Sequence, residues 1–379
     1  MKTLEINISE MEAVKEIEKL IGFVSEDIAE YKIHDSKLQV SLVDDADDTD
    51  IENAIWNLVN QYFSTKKKEK TIYSKALLRT YIKKDALLSI HEFEPGILSM
   101  DGKALFLYNY FEKQFISFAT EEEKENCIQK KYPVLLPTVY YKKTGYLKNS
   151  PQYAMFCCPV CENIDKLQHL NSFIDNNDID TVLRTPKHAL SPSACFHTYA
   201  EYQNKELLNN TTVTFTQSVF RNEGRFNYEE YGRLRDYHVR EIVFIGNDKY
   251  VSEMREKILN RSINFMEQLM LNGIICTASD PFIIPKMQKY KKIQLLEASK
   301  YELRLNYEEG KTLSVASFNL HGTAFTYPFH IKVKECEKNV TGCVGFGLER
   351  WVLAFLSQYG ENEENWPQCI KEEYKGEKC

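Results

Sequence analysis

Arg221-Asn222-Glu223 and, further along, Gly342-Cys343-Val344-Gly345-Phe346-Gly347-Leu348-Glu349-Arg350 are the stretches on which the reading of this chain turns. Each sets an arginine at a strand end or turn, the second among glycines. An arginine offers a planar fork of donors that grips phosphate bidentately and stacks on an aromatic face. Two such arginines, far apart in sequence, can hold one nucleotide between an antiparallel sheet and a following helix. No glycine-rich phosphate loop of the usual kind competes with them. Each stretch alone is a weak signal; their order and what lies between them carry the reading.

Together the two stretches resemble motifs 2 and 3 of class II aminoacyl-tRNA synthetases. Ala189-Leu190-Ser191-Pro192-Ser193-Ala194-Cys195, Val239-Arg240-Glu241-Ile242-Val243 and the run from Gly342 to Arg350 further resemble the amino acid:carrier-protein ligases. That family is a truncated relative of the atypical, zinc-dependent seryl-tRNA synthetases. Ser279-Asp280-Pro281-Phe282, Lys300-Tyr301-Glu302-Leu303 and Ser317-Phe318-Asn319-Leu320-His321 follow in the family's order, so the likeness extends from Pro133 to Pro367. Residues 132–151 resemble motif 1, which implies a homodimer interface.

The resemblance implies an α+β fold, an antiparallel sheet flanked by helices, behind a small N-terminal α+β domain. Residues 1–92 are read as that appendage and 93–379 as the catalytic domain. Hydrophobic spacing predicts strand, helix, hairpin and helix over residues 3–8, 10–23, 33–43 and 48–63. No sustained heptads occur, which excludes a long coiled-coil arm. The run Lys66-Lys67-Lys68-Glu69-Lys70 reads as a solvated linker, with partner docking as the sharper alternative. Helices are expected over 101–118, 121–132 and 351–357, and strands over 212–219, 238–244, 313–319 and 329–333.

Composition narrows the setting. The 379 residues are 43% hydrophobic and 27% charged, as in ordinary soluble proteins. No run reaches the ~18 apolar residues of a membrane span, and the first residues do not open a signal peptide. Ten scattered cysteines suit a reducing cytoplasm. A net charge of −7 argues against a large tRNA-binding surface and so disfavours tRNA as partner.

Site roles come from the resemblance. Cys195, Glu241 and Cys343 are its three zinc ligands, implying one Zn²⁺ per chain with an open position for the substrate's α-amino group. Arg221 and Arg350 are the catalytic phosphate clamps. Glu223, Arg233, Leu234, Lys300 and Glu302 complete an ATP site, with Glu302 an oxygen ligand available to Mg²⁺. The loop between Arg221 and Glu241 is about three residues longer than the family pattern, which unsettles the role of Arg233. Glu241, Asp280, Ser317 and Asn319 are assigned to the substrate, and residues 317–321 to its side-chain pocket. His197 and His238 stand beside proposed ligands, as hydrogen-bond partners or as packing residues. Cys157-Cys158-Pro159-Val160-Cys161 reads as structural thiols, since no second C-x-x-C accompanies it.

The expected activity is activation of a small amino acid as its adenylate, then transfer to the phosphopantetheine thiol of a carrier protein. The alternatives are a zinc-dependent aminoacyl-tRNA synthetase of the atypical seryl type and a non-catalytic synthetase paralogue.

Overall fold

Residues 237–245 alternate between two apolar faces, and that alternation sets the architecture. The structure is a computed structural model describing residues 2–65, 69–122, 126–228, 231–280, 282–284 and 287–377. Its centre is an eight-stranded sheet in the order Thr71–Lys75, Gly273–Thr277, Lys300–Glu308, Lys311–Gly322, Val340–Gly347, Asp236–Gly246, Thr211–Phe220 and Cys127–Gln129. Neighbours are antiparallel except the last pair, which is parallel. Successive strand residues point to opposite faces. Ile242, Phe244, Val344 and Phe346 accordingly pack with helices Gly102–Glu122, Asp248–Gln268 and Leu348–Tyr359. Val239, Val243 and Cys343 face the other way, into a cluster with Phe196, Tyr199 and Phe329.

Helix Asp248–Gln268 starts where Asn247 accepts a hydrogen bond from the Tyr250 N–H at 2.8 Å. A side-chain cap satisfies a backbone donor that the helix itself leaves open. Asn247→Ala should therefore lower stability by about 1 kcal/mol, read as a shift in denaturant midpoint at unchanged slope. No shift would show that another group serves that donor.

The N-terminal residues form a second unit. Lys2–Asn7, Lys37–Leu42 and Ile28–His34 make a three-stranded sheet with Lys37–Leu42 at its centre. Helices Met11–Glu18 and Asp48–Thr65 cover it, and Ile6, Val14, Ile17, Leu38, Val40 and Ile55 are buried between them. Lys66, Lys67 and Lys68 of the basic run lie outside the described residues.

Four expectations need correction. Thr71–Lys75, assigned to the appendage, pairs with Gly273–Thr277 at the edge of the large sheet. The hairpin Ile90–Glu94 with Ile97–Met100 straddles the expected boundary at residue 92. Strand partners are chosen by tertiary pairing and not by local composition. No helix covers 126–132: Glu121 and Glu122 belong to helix Gly102–Glu122, residues 123–125 lie outside the described residues, and Cys127–Gln129 is recruited as a parallel strand by Thr212–Thr214. Residues 329–333 are not one strand. Thr326–Phe329 is a helical turn, His330 takes a left-handed φ of 51°, and only Lys332–Val333 pairs, with Glu206–Leu207.

Candidate active site

Strand register places the chemistry. Lys300, Asn319 and Cys343 are consecutive partners across three strands, as are Glu302, Ser317, Gly345 and Glu241 across four. Two adjacent rows of one sheet face thereby carry acid, amide, thiol and amine groups. Gly345 is required there: a Cβ would lie 2.7 Å from Glu241 Oε2 and 3.1 Å from Val239. These rows floor a cavity of about 920 Å³.

One corner of the site is acidic and closed. Donor atoms of Cys195, Glu241 and Cys343 lie within 4.8 Å of one another, and all three residues are buried. It is the one such group among the described residues. Burial, then Cys195, pushes the Glu241 carboxyl well above the usual range. The hydrogen bond between the thiols lowers Cys195 and raises Cys343. Three acids crowded together resist simultaneous ionisation unless a cation joins them. Two thiols and a carboxyl with a fourth direction free suit Zn²⁺.

Around this corner neither His197 nor His238 bonds a proposed ligand, in keeping with the packing alternative. His197 bonds the Leu135 carbonyl at 3.3 Å, and His238 bonds Glu349 at 2.8 Å. His321, two residues past Asn319, instead brings Nε2 to 3.7 Å from Cys343 Sγ and Nδ1 to 3.3 Å from Tyr199 Oη. Asn319 Nδ2 lies 3.6 Å from the same sulfur and 3.2 Å from Ser317 Oγ.

Two arginines meet over one ring. Arg221 follows strand Thr211–Phe220, and its Nε donates to the Pro192 carbonyl at 3.0 Å. Arg350, in the first turn of Leu348–Tyr359, donates from Nε to the Gly232 carbonyl at 3.0 Å. Their guanidinium carbons stand 5.9 and 4.7 Å from the Tyr237 ring centre. Glu223, buried, pairs with Arg233 at 3.2 Å. The Tyr228 hydroxyl accepts from the Glu223 N–H at 2.8 Å and donates to the Arg221 carbonyl at 3.0 Å.

A chain of ion pairs closes the remaining wall. Asp280 binds Lys300 at 2.7 Å, Lys300 approaches Glu302 at 3.4 Å, and Arg304 binds Glu302 at 2.9 Å and Glu69 at 2.7 Å. Burial works against the charge on Asp280 and Glu302. Lys300 on the first, and Lys300 with Arg304 on the second, nevertheless hold both carboxyls below their ordinary range.

The cavity wall includes Arg221, Glu223, Arg233, Arg350 and Lys300, with Glu302, Asp280, Ser317, Asn319, Glu241 and Cys343. Cys195 lies behind Ser193 and Ala194. Leu234 does not reach the cavity; it is buried in the cluster of Val219 and Tyr237. Pro281 and two residues of the long loop, Glu229 and Glu230, lie outside the described residues. Sequence reading missed Tyr237 and Arg304. Tyr237 was accessible by counting in twos back from Glu241 along the strand, whereas Arg304 declares itself only through Glu302 and Glu69. Cys157, Cys158 and Cys161 are free thiols outside the metal-spaced group.

No family model matches the chain. It is 31% identical over 268 residues to a type-2 serine–tRNA ligase of Methanococcus maripaludis, covering 65% of this chain and 52% of that protein. A type-2 serine–tRNA ligase of Methanocaldococcus jannaschii is 28% identical over 260 residues, 64% of this chain and 49% of the other. The chain spans about half the length of the curated relatives it matches. Among solved structures, M. kandleri SerRS in complex with A. aeolicus tRNASec aligns over 99% of this chain and 77% of its own. Its TM-score is 0.70 at 19% identity. A cytoplasmic serine–tRNA ligase from Naegleria fowleri in complex with AMP covers 86% of this chain and 71% of its own, with TM-score 0.59 at 12% identity. The fold is the class II aminoacyl-tRNA synthetase catalytic fold. Within that class the chain is similar in sequence to the type-2 seryl enzymes.

The sequence matches to serine–tRNA ligases overturn the expected carrier-protein acceptor and the expectation that disfavoured tRNA, and they favour the alternative, a synthetase of the atypical seryl type. The physical reason is that the quoted motifs serve adenylate formation, which precedes the choice of acceptor. A net charge sums the whole surface, whereas an RNA end is gripped locally. No helix among the described residues is long and apolar enough to cross a membrane.

Proposed function

We propose that this chain is an ATP-dependent, AMP-forming ligase that activates a small amino acid, serine foremost, and transfers it to tRNA. The observation that carries this reading is the meeting of Arg221 and Arg350 on Tyr237, in the cavity that also receives Glu241 and Cys343. The similarity to type-2 serine–tRNA ligases supports the acceptor.

In the first half-reaction a carboxylate oxygen of the amino acid attacks the α-phosphorus of ATP. The bond to the β-phosphate bridge breaks, and pyrophosphate leaves with its Mg²⁺. Both reactants are anions, so catalysis needs positive charge already in place. Arg221 clamps the α-phosphate against the carboxylate, and Arg350 covers the adenine face and reaches the terminal phosphate. Glu223, paired with Arg233 at 3.2 Å, accepts from the adenine amino group. Glu302 has both oxygens facing cations, so Mg²⁺ must arrive on the triphosphate or displace one of them. Cys195, Glu241 and Cys343 would hold one Zn²⁺, which when bound supplies a Lewis-acid seat for a neutral α-amino group. Asn319 and Ser317, beside that corner, face the substrate side chain. In the second half-reaction a terminal tRNA hydroxyl attacks the carbonyl carbon, its proton passes to water, and AMP departs.

Pyrophosphate exchange across the twenty amino acids, followed by acylation of tRNA, tests the reading. Serine, alanine and glycine should be activated with graded efficiency, because one methylene is worth only about 1–3 kcal/mol of discrimination. N-acetylserine should stay at background. A preference for large aromatic or charged substrates would refute the pocket. Intact exchange with no acylation of any tRNA would refute the acceptor.

A further inference from the structure

The long loop that carries Arg221, Glu223 and Arg233 does not end in solvent: its tip is built into the N-terminal unit. Phe226 packs against the core of that unit, edge-on to Tyr31 with ring centres 5.4 Å apart. A Cβ on Gly22 would lie 3.2 Å from the Phe226 ring, so the fit is close. Arg225 donates to the carbonyls of Ser25 at 3.0 Å, Glu26 at 3.2 Å and Ile28. Its guanidinium also covers the Phe226 ring at 4.8 Å. Gly224, at φ +90°, passes so near Phe23 that a Cβ would stand 2.8 Å from that ring.

Asn227 makes the link to the site. Its amide donates to the Lys19 carbonyl at 3.0 Å and to the Glu223 carbonyl at 2.6 Å. One side chain therefore ties the N-terminal unit to the backbone of Glu223, and Tyr228 carries that constraint on to Arg221. Glu16, Lys19 and Phe23 of the N-terminal unit also line the cavity. An unsupported loop of this length would sample many conformations, and ordering it on ligand binding costs affinity.

We propose that the N-terminal unit is a wall of the ATP site, with Arg225, Phe226 and Asn227 as positioning residues that pre-set Glu223 and Arg221 for the nucleotide. This rests on the reading of the cavity as an ATP site. Phe226→Ala, Arg225→Ala and Asn227→Ala are compared with wild type by ATP titration and by exchange kinetics. The expected result is an ATP Kd and an ATP KM raised roughly tenfold, with KM for the amino acid and metal content unchanged. Phe226→Leu, which keeps an apolar plug, should recover most of the loss. ATP affinity within about twofold of wild type in the Phe226→Ala, Arg225→Ala double variant overturns the proposal. So does a parallel fall of all kinetic parameters with thermal stability, since that marks support of the fold and not positioning. Wild-type protein that binds no ATP would instead defeat the reading of the cavity, and the inference with it.

Discussion

Cys343→Ser is expected to strip the purified protein of zinc and to bring amino-acid-dependent pyrophosphate exchange to background. Cys343 is 4% exposed, and its sulfur shares one closed corner with Cys195 and Glu241. A serine hydroxyl stays protonated where a thiol ionises, and it is too short to restore a Zn–S bond of about 2.3 Å. Loss of an outer partner of a metal ligand already costs about 10–100-fold, so loss of a ligand from a three-ligand set should cost more. Metal analysis should fall from about one zinc per chain, the number a single three-ligand site holds, to background. Full exchange by metal-free wild-type protein would sink the assignment.

The candidate site residues were legible only through the motif resemblance; strand periodicity is the physical reason that most of them line one cavity. Glu241, Cys343, Ser317 and Asn319 occupy one face of three neighbouring strands, and a count of two along each strand keeps them together. What was not legible depends on contacts between distant segments. Thr71–Lys75 carries no local mark of belonging to the large sheet; its partner, Gly273–Thr277, makes it an edge strand. Residues 126–132 offered helix-forming lysine and glutamine, yet pairing with Thr212–Thr214 overrode that propensity. The long loop could be counted from sequence, but its excess length gained a meaning only once Phe226 was seen in the N-terminal core. The acceptor was misread for a different reason: the residues that activate an amino acid say nothing about the nucleophile that later receives it.

The two arginines test whether the cavity is a reaction centre or only a binding pocket. Arg221→Ala and Arg350→Ala should each lower exchange by at least about 100-fold, the scale on which a preorganised transition-state charge is worth roughly 2.7 kcal/mol or more. Both groups are already held, Arg221 by the Pro192 carbonyl and Arg350 by the Gly232 carbonyl, so little reorganisation precedes the reaction. Arg221→Lys should recover only a minor part, because a point charge cannot bridge phosphate and carboxylate as a planar fork does. Zinc content should remain at the wild-type level, since neither guanidinium belongs to the buried acidic corner. Arg221→Ala should depress kcat more than it raises KM for ATP, as expected of a contact strengthened in the transition state. Arg350→Ala, which uncovers the nucleotide, should raise KM for ATP as well. A folded, zinc-loaded Arg221→Ala protein that exchanges within about fivefold of wild type would show that this guanidinium carries no transition-state charge, because about fivefold is worth only ~1 kcal/mol.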